Sequence, residues 1–238
     1  MTVETCSYTL SLGHKAVGSQ LVRTAVSGHT TTIEARAQFQ GVFGQQSLTQ
    51  TSQLHTRTCE SLRYHEENDT KEGKRSFEVT FDAQSGLVTA TRQLGLQTER
   101  AETPLLRPYS DPLGLLHRLR GVVQNEKVQN GEVGASLRVP LLGKDVVITQ
   151  LGESEIETAL GLRRVVGFVL NPGPGYVYVD AEPPYSLMRL VQPTQHGLVE
   201  AFLTRRVQED GTLAKVSGAE RPAKRRRRGG RKRRRVES

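Results

Sequence analysis

Cysteine is scarce: Cys6 and Cys59 are the only two in 238 residues. Two are too few for a disulfide framework. No run approaches the ~20 consecutive apolar residues of a membrane span, so an integral membrane protein is not expected. The opening Met1-Thr2-Val3-Glu4-Thr5 has neither a basic stretch nor an apolar one, so no secretory signal is read and a cytoplasmic protein is expected. Enzyme signatures are missing too. There is no Gly-x-Ser-x-Gly elbow, no Walker loop and no His-Glu-x-x-His, and neither a catalytic constellation nor a cofactor is expected. Tryptophan is absent and aromatic residues make up 5% of the chain.

What the chain does have is an uneven charge. The net +8 hides a sharp partition. Residues 221–238 hold Arg221, Lys224, Arg225, Arg226, Arg227, Arg228, Arg231, Lys232, Arg233, Arg234 and Arg235 against one acid, Glu237, or +10. The other 220 residues carry 22 bases and 24 acids, or −2. All the excess positive charge therefore sits in the last 18 residues. Val236 is their one apolar side chain of any size, so nothing offsets the ordering entropy and the tail is expected to be disordered. Fully extended it reaches roughly 60 Å at ~3.3 Å per residue. Lys224 to Arg235 are the expected polyanion-binding residues, since Arg and Lys meet phosphates through charge and forked hydrogen bonds. No aromatic residue is interleaved, so bases cannot be stacked and binding to RNA or DNA should be blind to sequence. A solvated tail and an anionic lipid surface are the competing readings.

From Tyr8 to Arg205 the pattern has period two or short apolar runs, broken by Gly, Asn, Asp and Pro. Phe77, Val79 and Phe81 point one way and Ser76, Glu78 and Thr80 the other, a half-buried strand. Ala83-Gln84-Ser85-Gly86 then turns the chain into Leu87–Thr91. Leu62–His65 and Arg75–Phe81 are expected to flank a polar tip, Glu66 to Gly73. Leu21–Val26 and Thr30–Ala37 flank Ser27-Gly28-His29, and Gly143-Lys144 has the Gly-X order of a two-residue hairpin turn. Arg164–Leu170 is apolar on both faces, an interior strand, and Asn171-Pro172-Gly173-Pro174-Gly175 is a turn rather than a phosphate cradle, its prolines lacking donors.

One segment breaks this pattern. Asp111 is an N-cap residue, Pro112 suits the first helical position, and Leu113, Leu115, Leu116 and Leu119 make Asp111–Arg120 a short amphipathic helix. The fold class is then all-β: an antiparallel β-barrel or strongly curved half-barrel with one short central helix. Its expected extent is 1–206, with a 207–220 linker and the 221–238 tail. So many hairpins in one flat sheet would leave hazardous edges, which favours curvature.

The stretch Asp111-Pro112-Leu113-Gly114-Leu115-Leu116-His117-Arg118-Leu119-Arg120 resembles the Asp-x-Leu-Ser-Ala-Leu-x-x-Leu-Arg helix of the bacterial domain-of-unknown-function family 3108, with Gly114 in place of the usual Ser. Tyr8-Thr9-Leu10-Ser11-Leu12 with Val17-Gly18, Val79-Thr80-Phe81-Asp82 before Gly86, and the strands around Leu187 and Val191 support it over about residues 5–206. The resemblance implies a β-barrel or half-barrel, usually exported to the envelope, with no established activity. The missing export signal and the basic tail depart from it.

Three further groups are candidates. His117, Arg118 and Arg120 could line the mouth of a barrel cavity; the alternative is a helix that caps the barrel, with its leucines in the core and its bases in water. The barrel interior could hold a lipid-like or other apolar ligand. His55, Cys59, His65 and Glu66 are the only soft-ligand cluster, with 55 and 59 on one face of an expected strand, but they follow no zinc spacing and no metal is expected. Glu153, Glu155 and Glu157 alternate with Ser154 and Ile156 and read as a solvated face.

Overall fold

The computed structural model describes residues 1–107, 109–125, 134–142, 144–172 and 175–210. Eight strands precede one helix and six follow it. The first eight are β1 (Thr2–Leu12), β2 (Lys15–Ser27), β3 (Thr30–Phe39), β4 (Gln46–His55), β5 (Ser61–Thr70), β6 (Gly73–Asp82), β7 (Leu87–Leu94) and β8 (Gln97–Pro104). Helix α1 covers Pro112–Gln124. Then come β9 (Ser136–Leu141), β10 (Lys144–Thr158), β11 (Gly161–Asn171), β12 (Gly175–Asp180), β13 (Leu187–Thr194) and β14 (Gly197–Asp210).

All fourteen belong to one antiparallel sheet ordered β8-β7-β6-β5-β4-β3-β2-β1-β14-β13-β12-β11-β10-β9. Every strand pairs with its chain neighbour except at one place. The first strand pairs with the last, from Thr2 opposite Asp210 to Leu12 opposite Val199. The break in the ring therefore falls between β8 and β9, which α1 and its flanking segments connect. There the segment before the helix runs beside β9: Ser110 forms a parallel bridge with Leu141 and donates its N–H to the Pro140 carbonyl at 3.0 Å. The sheet is a curved half-barrel, not a closed barrel.

The helix begins where its sequence says. Asp111 is extended, its carboxylate accepts from Gly114 N at 2.9 Å, and Pro112 opens the first turn. It runs four residues beyond Arg120, because Val123 adds another apolar contact. Its two halves meet opposite sides of the half-barrel. Leu113, with Tyr109 just before the helix, packs among Ile33, Leu54, Tyr64, Val79 and Phe81 on β3–β6. Leu115, Leu119 and Val123 pack on Val139, Ile148, Phe168 and Val177 of β9–β12. Gly114 sits where a Cβ would fall 2.9 Å from Leu54 Cδ2 and 3.0 Å from Ser61 Oγ, so helix and sheet approach closely there. Burying residues such as Leu115 and Leu119 contributes about 1.5–3 kcal/mol each.

Most of the expected strands are present, and the interior strand 164–170 has Val165, Val166 and Phe168 buried on both faces. The expected polar tip 66–73 is corrected: β5 and β6 run on to Thr70 and Gly73, leaving only Lys71 and Glu72 in the turn. Charged residues are tolerated there because they pair across the strands, as Lys74 does with Asp69 at 3.6 Å. The hairpin between β9 and β10 is centred one residue earlier than expected, with Leu142 at φ +47 between the paired Leu141 and Lys144; Gly143 lies outside the described residues, as do Gly173 and Pro174. Cys59 shares no strand with His55, because β4 ends at His55 and the chain loops through Cys59 at φ +53. β14 extends four residues past Arg206, and the tail from 211 onward lies outside the described residues. Among the described residues no helix is long and apolar enough to cross a membrane.

Candidate functional site

The concave face of the sheet carries the helix at one end and an open cleft at the other. Of the three helical bases, Arg120 has the most partners. Its guanidinium donates from Nη1 to Glu4 Oε2 at 2.6 Å and from Nη2 to Glu4 Oε1 at 3.1 Å. It also donates to the carbonyls of Tyr185 at 2.9 Å and Pro184 at 3.0 Å. Glu4 accepts a further bond from Arg206 Nε at 2.8 Å. Burial pulls the Glu4 carboxyl up, but the two guanidinium groups outweigh it and hold it below the usual value. Arg120 is thus a clamp that ties α1 to β1 and to the β12–β13 connection, and its donors are already taken.

His117 faces a small cavity of about 40 Å³ between helix and sheet, which Arg120, Tyr8, Gln20 and Thr24 also line. At ~30 Å³ per water that is room for about one. Burial, with the Arg120 charge nearby, pushes the His117 imidazole down to about 4, so it is neutral at physiological pH. Tyr8 donates its hydroxyl to the Leu187 carbonyl at 3.1 Å. Arg118 points away from this cavity toward Cys59, whose thiol burial raises against the opposing pull of that guanidinium. Its Nη1 is buried with no hydrogen-bond partner among the described residues. Cys6 is likewise pushed up, to about 11, chiefly by burial, so neither thiol has the character of an activated nucleophile.

At the N-terminus of the helix lies a second buried polar group. Asp111 is fully buried and accepts from Ser52 Oγ at 2.7 Å and Ser61 Oγ at 2.6 Å, besides its capping bond. Burial raises its carboxyl despite these donors. Further along β4 and β5, Tyr64 donates to Glu66 Oε2 at 2.6 Å, while Gln50 Nε2 donates to both the Tyr64 hydroxyl and Glu66. Burial and the adjacent carboxylate push the Tyr64 phenol far up.

The cleft lies on the same face, between β13, β14 and β1 on one side and β3, β4 and β5 on the other. Its volume is about 240 Å³. Leu10, Val199 and Ala201 form a buried floor, and half-buried Phe39, Phe43, Leu48 and Leu190 form the walls. Gln192 and Thr194 stand exposed at its edge, with Gln46 and Asn68 half-buried beside them. Phe43 is presented by a short 3-10 turn, Gly41–Phe43, and is braced edge-on by the His196 ring at 5.1 Å. Leu190 also lines the small cavity under the helix and so stands between the two spaces. Two wider depressions are open and polar; the larger part of one is lined by Glu67, Asp69, Lys74 and Gln93 on the convex face.

The residues of the proposed soft-ligand cluster are dispersed. His65 lies opposite Thr51 and Glu78 on the convex face, while Glu66 is turned to the concave face. His55 accepts from Thr58 N at its Nδ1, 3.4 Å away, and stacks at 6.4 Å from His29. Among the described residues no three His, Cys, Asp or Glu side chains come together as a metal site. Glu153, Glu155 and Glu157 share one face of β10, opposite Val166, Arg164 and Leu162. The polyanion residues Lys224–Arg235 lie outside the described residues.

Sequence reasoning missed the cleft and the Glu4–Arg120 clamp. Period-two alternation does say that Leu10 shares a face with Tyr8, or Phe39 with Ala37. It does not say that β13 and β5 flank the same hollow, and nothing links Glu4 to a base 116 residues away.

No protein-family model matches the chain, and no curated protein does. The fold does have a counterpart: the chain is similar to the crystal structure of a β-barrel-like protein of the domain of unknown function DUF1849 from Brucella abortus, with a TM-score of 0.57, 10% identity, and 88% of this chain and 99% of that one covered.

Proposed function

We propose that this is a non-enzymatic binding protein in which the polybasic segment anchors the half-barrel to nucleic acid or another polyanion without sequence specificity. The observation that carries this reading is the charge partition, +10 in residues 221–238 against −2 in the rest. Supporting it, β14 delivers the chain toward that segment at Asp210, while the cleft sits at Val199 on the same strand. Eleven residues at ~3.3 Å separate Asp210 from Val199 by roughly 35 Å. The cytoplasm is the proposed compartment, and membership of family 3108 is proposed on the Asp111–Arg120 helix.

The test is fluorescence anisotropy with labelled RNA and DNA, comparing the full chain with residues 1–220, which keep every described residue. With ~5–8 bases on phosphates, the log–log salt slope is expected to be about −4 to −7 for the full chain. Binding should vanish in 1–220 with no change in its thermal transition. Equal affinity in the shortened chain would move the binding surface to the body.

A second reading has its own observation. The concave cleft, apolar and uncharged, favours a carrier of an apolar small ligand.

A further inference from the structure

We propose that the cleft binds the end of a single hydrocarbon chain, alkyl or acyl, of about eight carbons, whose uncharged head group lies at the Gln192–Thr194 edge. This rests on the carrier reading above and gives it a place and a ligand class.

Three observations carry it. Charged residues make up 24% of the chain, yet none of the eleven side chains lining the cleft is charged. A charged head would meet no counter-ion within it, whereas Gln192 and Thr194 offer an amide and a hydroxyl to a neutral one. The apolar lining is also graded, from the buried floor of Leu10 and Ala201 to half-buried Phe39, Phe43 and Leu48, so an occupant covers surface that water now touches. Finally, the cleft has a bottom. Leu190 stands between the cleft and the cavity under α1, and that cavity offers only about 40 Å³ beyond it. At ~30 Å³ per water-sized group, 240 Å³ holds about eight such groups, and a longer chain must project past the edge into solvent.

The closed bottom gives a sharp expectation. Affinity should rise about fourfold per methylene while the chain is filling the cleft, and then level off. The experiment uses the full chain, with N-phenyl-1-naphthylamine as fluorescent reporter and n-alkyl maltosides from hexyl to tetradecyl as competitors, held below micelle formation. Direct calorimetry with decyl maltoside runs alongside. The expected result is a rising affinity that becomes flat near octyl to decyl. Ala201→Phe should fill the floor and abolish binding. Phe43→Asp, on the turn outside the sheet, should weaken binding at least tenfold by placing a charge in the wall, with its thermal transition measured alongside to show that the fold is kept.

Absence of binding by every probe overturns this proposal and the carrier reading together. Binding that keeps strengthening to tetradecyl, or that survives Phe43→Asp unchanged, overturns this site and leaves the carrier reading with a different one.

Discussion

Folding stability should fall as the solution is acidified, and His117 sets much of the slope. Its imidazole sits against α1 and the sheet, with burial and Arg120 both disfavouring the charged form, and is pushed from 6.5 down to about 4. The unfolded chain therefore takes up a proton between these values while the folded chain does not. Stability is full above pH 6.5 and is lost as pH falls toward 4. The shift corresponds to about 3 kcal/mol over that window at 1.36 kcal/mol per unit. Such a loss is a large fraction of a typical 5–15 kcal/mol. Urea denaturation from pH 7.5 to 4 reads this directly. His117→Gln keeps a polar side chain of similar size but cannot titrate, so the difference in unfolding free energy between the native protein and this variant should shrink by about 3 kcal/mol across the window. A difference that stays constant with pH would refute the argument, since it would mean His117 protonates as readily in the folded chain as in the unfolded one.

Arg120→Ala should destabilise the fold by about 3–5 kcal/mol, because it strips Glu4 of two of its three guanidinium bonds and leaves a mostly buried carboxylate. A double-mutant cycle with Glu4→Gln in thermal or urea unfolding should return a clear coupling energy; strict additivity would show that the pair does not act as a clamp. Asp111→Ala removes the helix cap and orphans Ser52 and Ser61, and is expected to cost about 1–3 kcal/mol, whereas Asp111→Asn, which retains a capping oxygen, should cost less in the same assay. Gly114→Val should lower the melting temperature, since its Cβ would already meet Leu54 and Ser61 at 2.9–3.0 Å before the branch is added.

Much of the fold was legible because its signals are local. Alternation in Phe77, Val79 and Phe81 fixed a buried face, and Asp111-Pro112 announced the helix with its cap and its first-turn residue. The expected polar tip at 66–73 failed because strand length depends on cross-strand partners: Asp69 and Lys74 sustain the pairing although neither is buried. The Arg120 clamp failed for a different reason. A base on an amphipathic helix normally finds water, and only the meeting of β1 with the β12–β13 connection above that helix turn gives it Glu4 and two carbonyls instead. The cleft depends on sheet order, which no stretch of the chain announces by itself.

The position of the gap in the sheet has a kinetic consequence. Thr2 must find Asp210 across almost the whole described chain, and this β1–β14 seam joins two halves, β2–β8 and β9–β13, whose strands otherwise all pair with near neighbours in the chain. Loop closure must precede that seam, which raises the contact order and slows folding. A circular permutant with the two ends of the chain joined and new ones opened between 125 and 134 would read β9 to β14, β1 to β8 and then α1, with every strand beside its chain neighbour. The β1–β14 seam would become a nearby pairing, and the longest search would pass to α1, which would have to find β9–β12 from the far end of the chain.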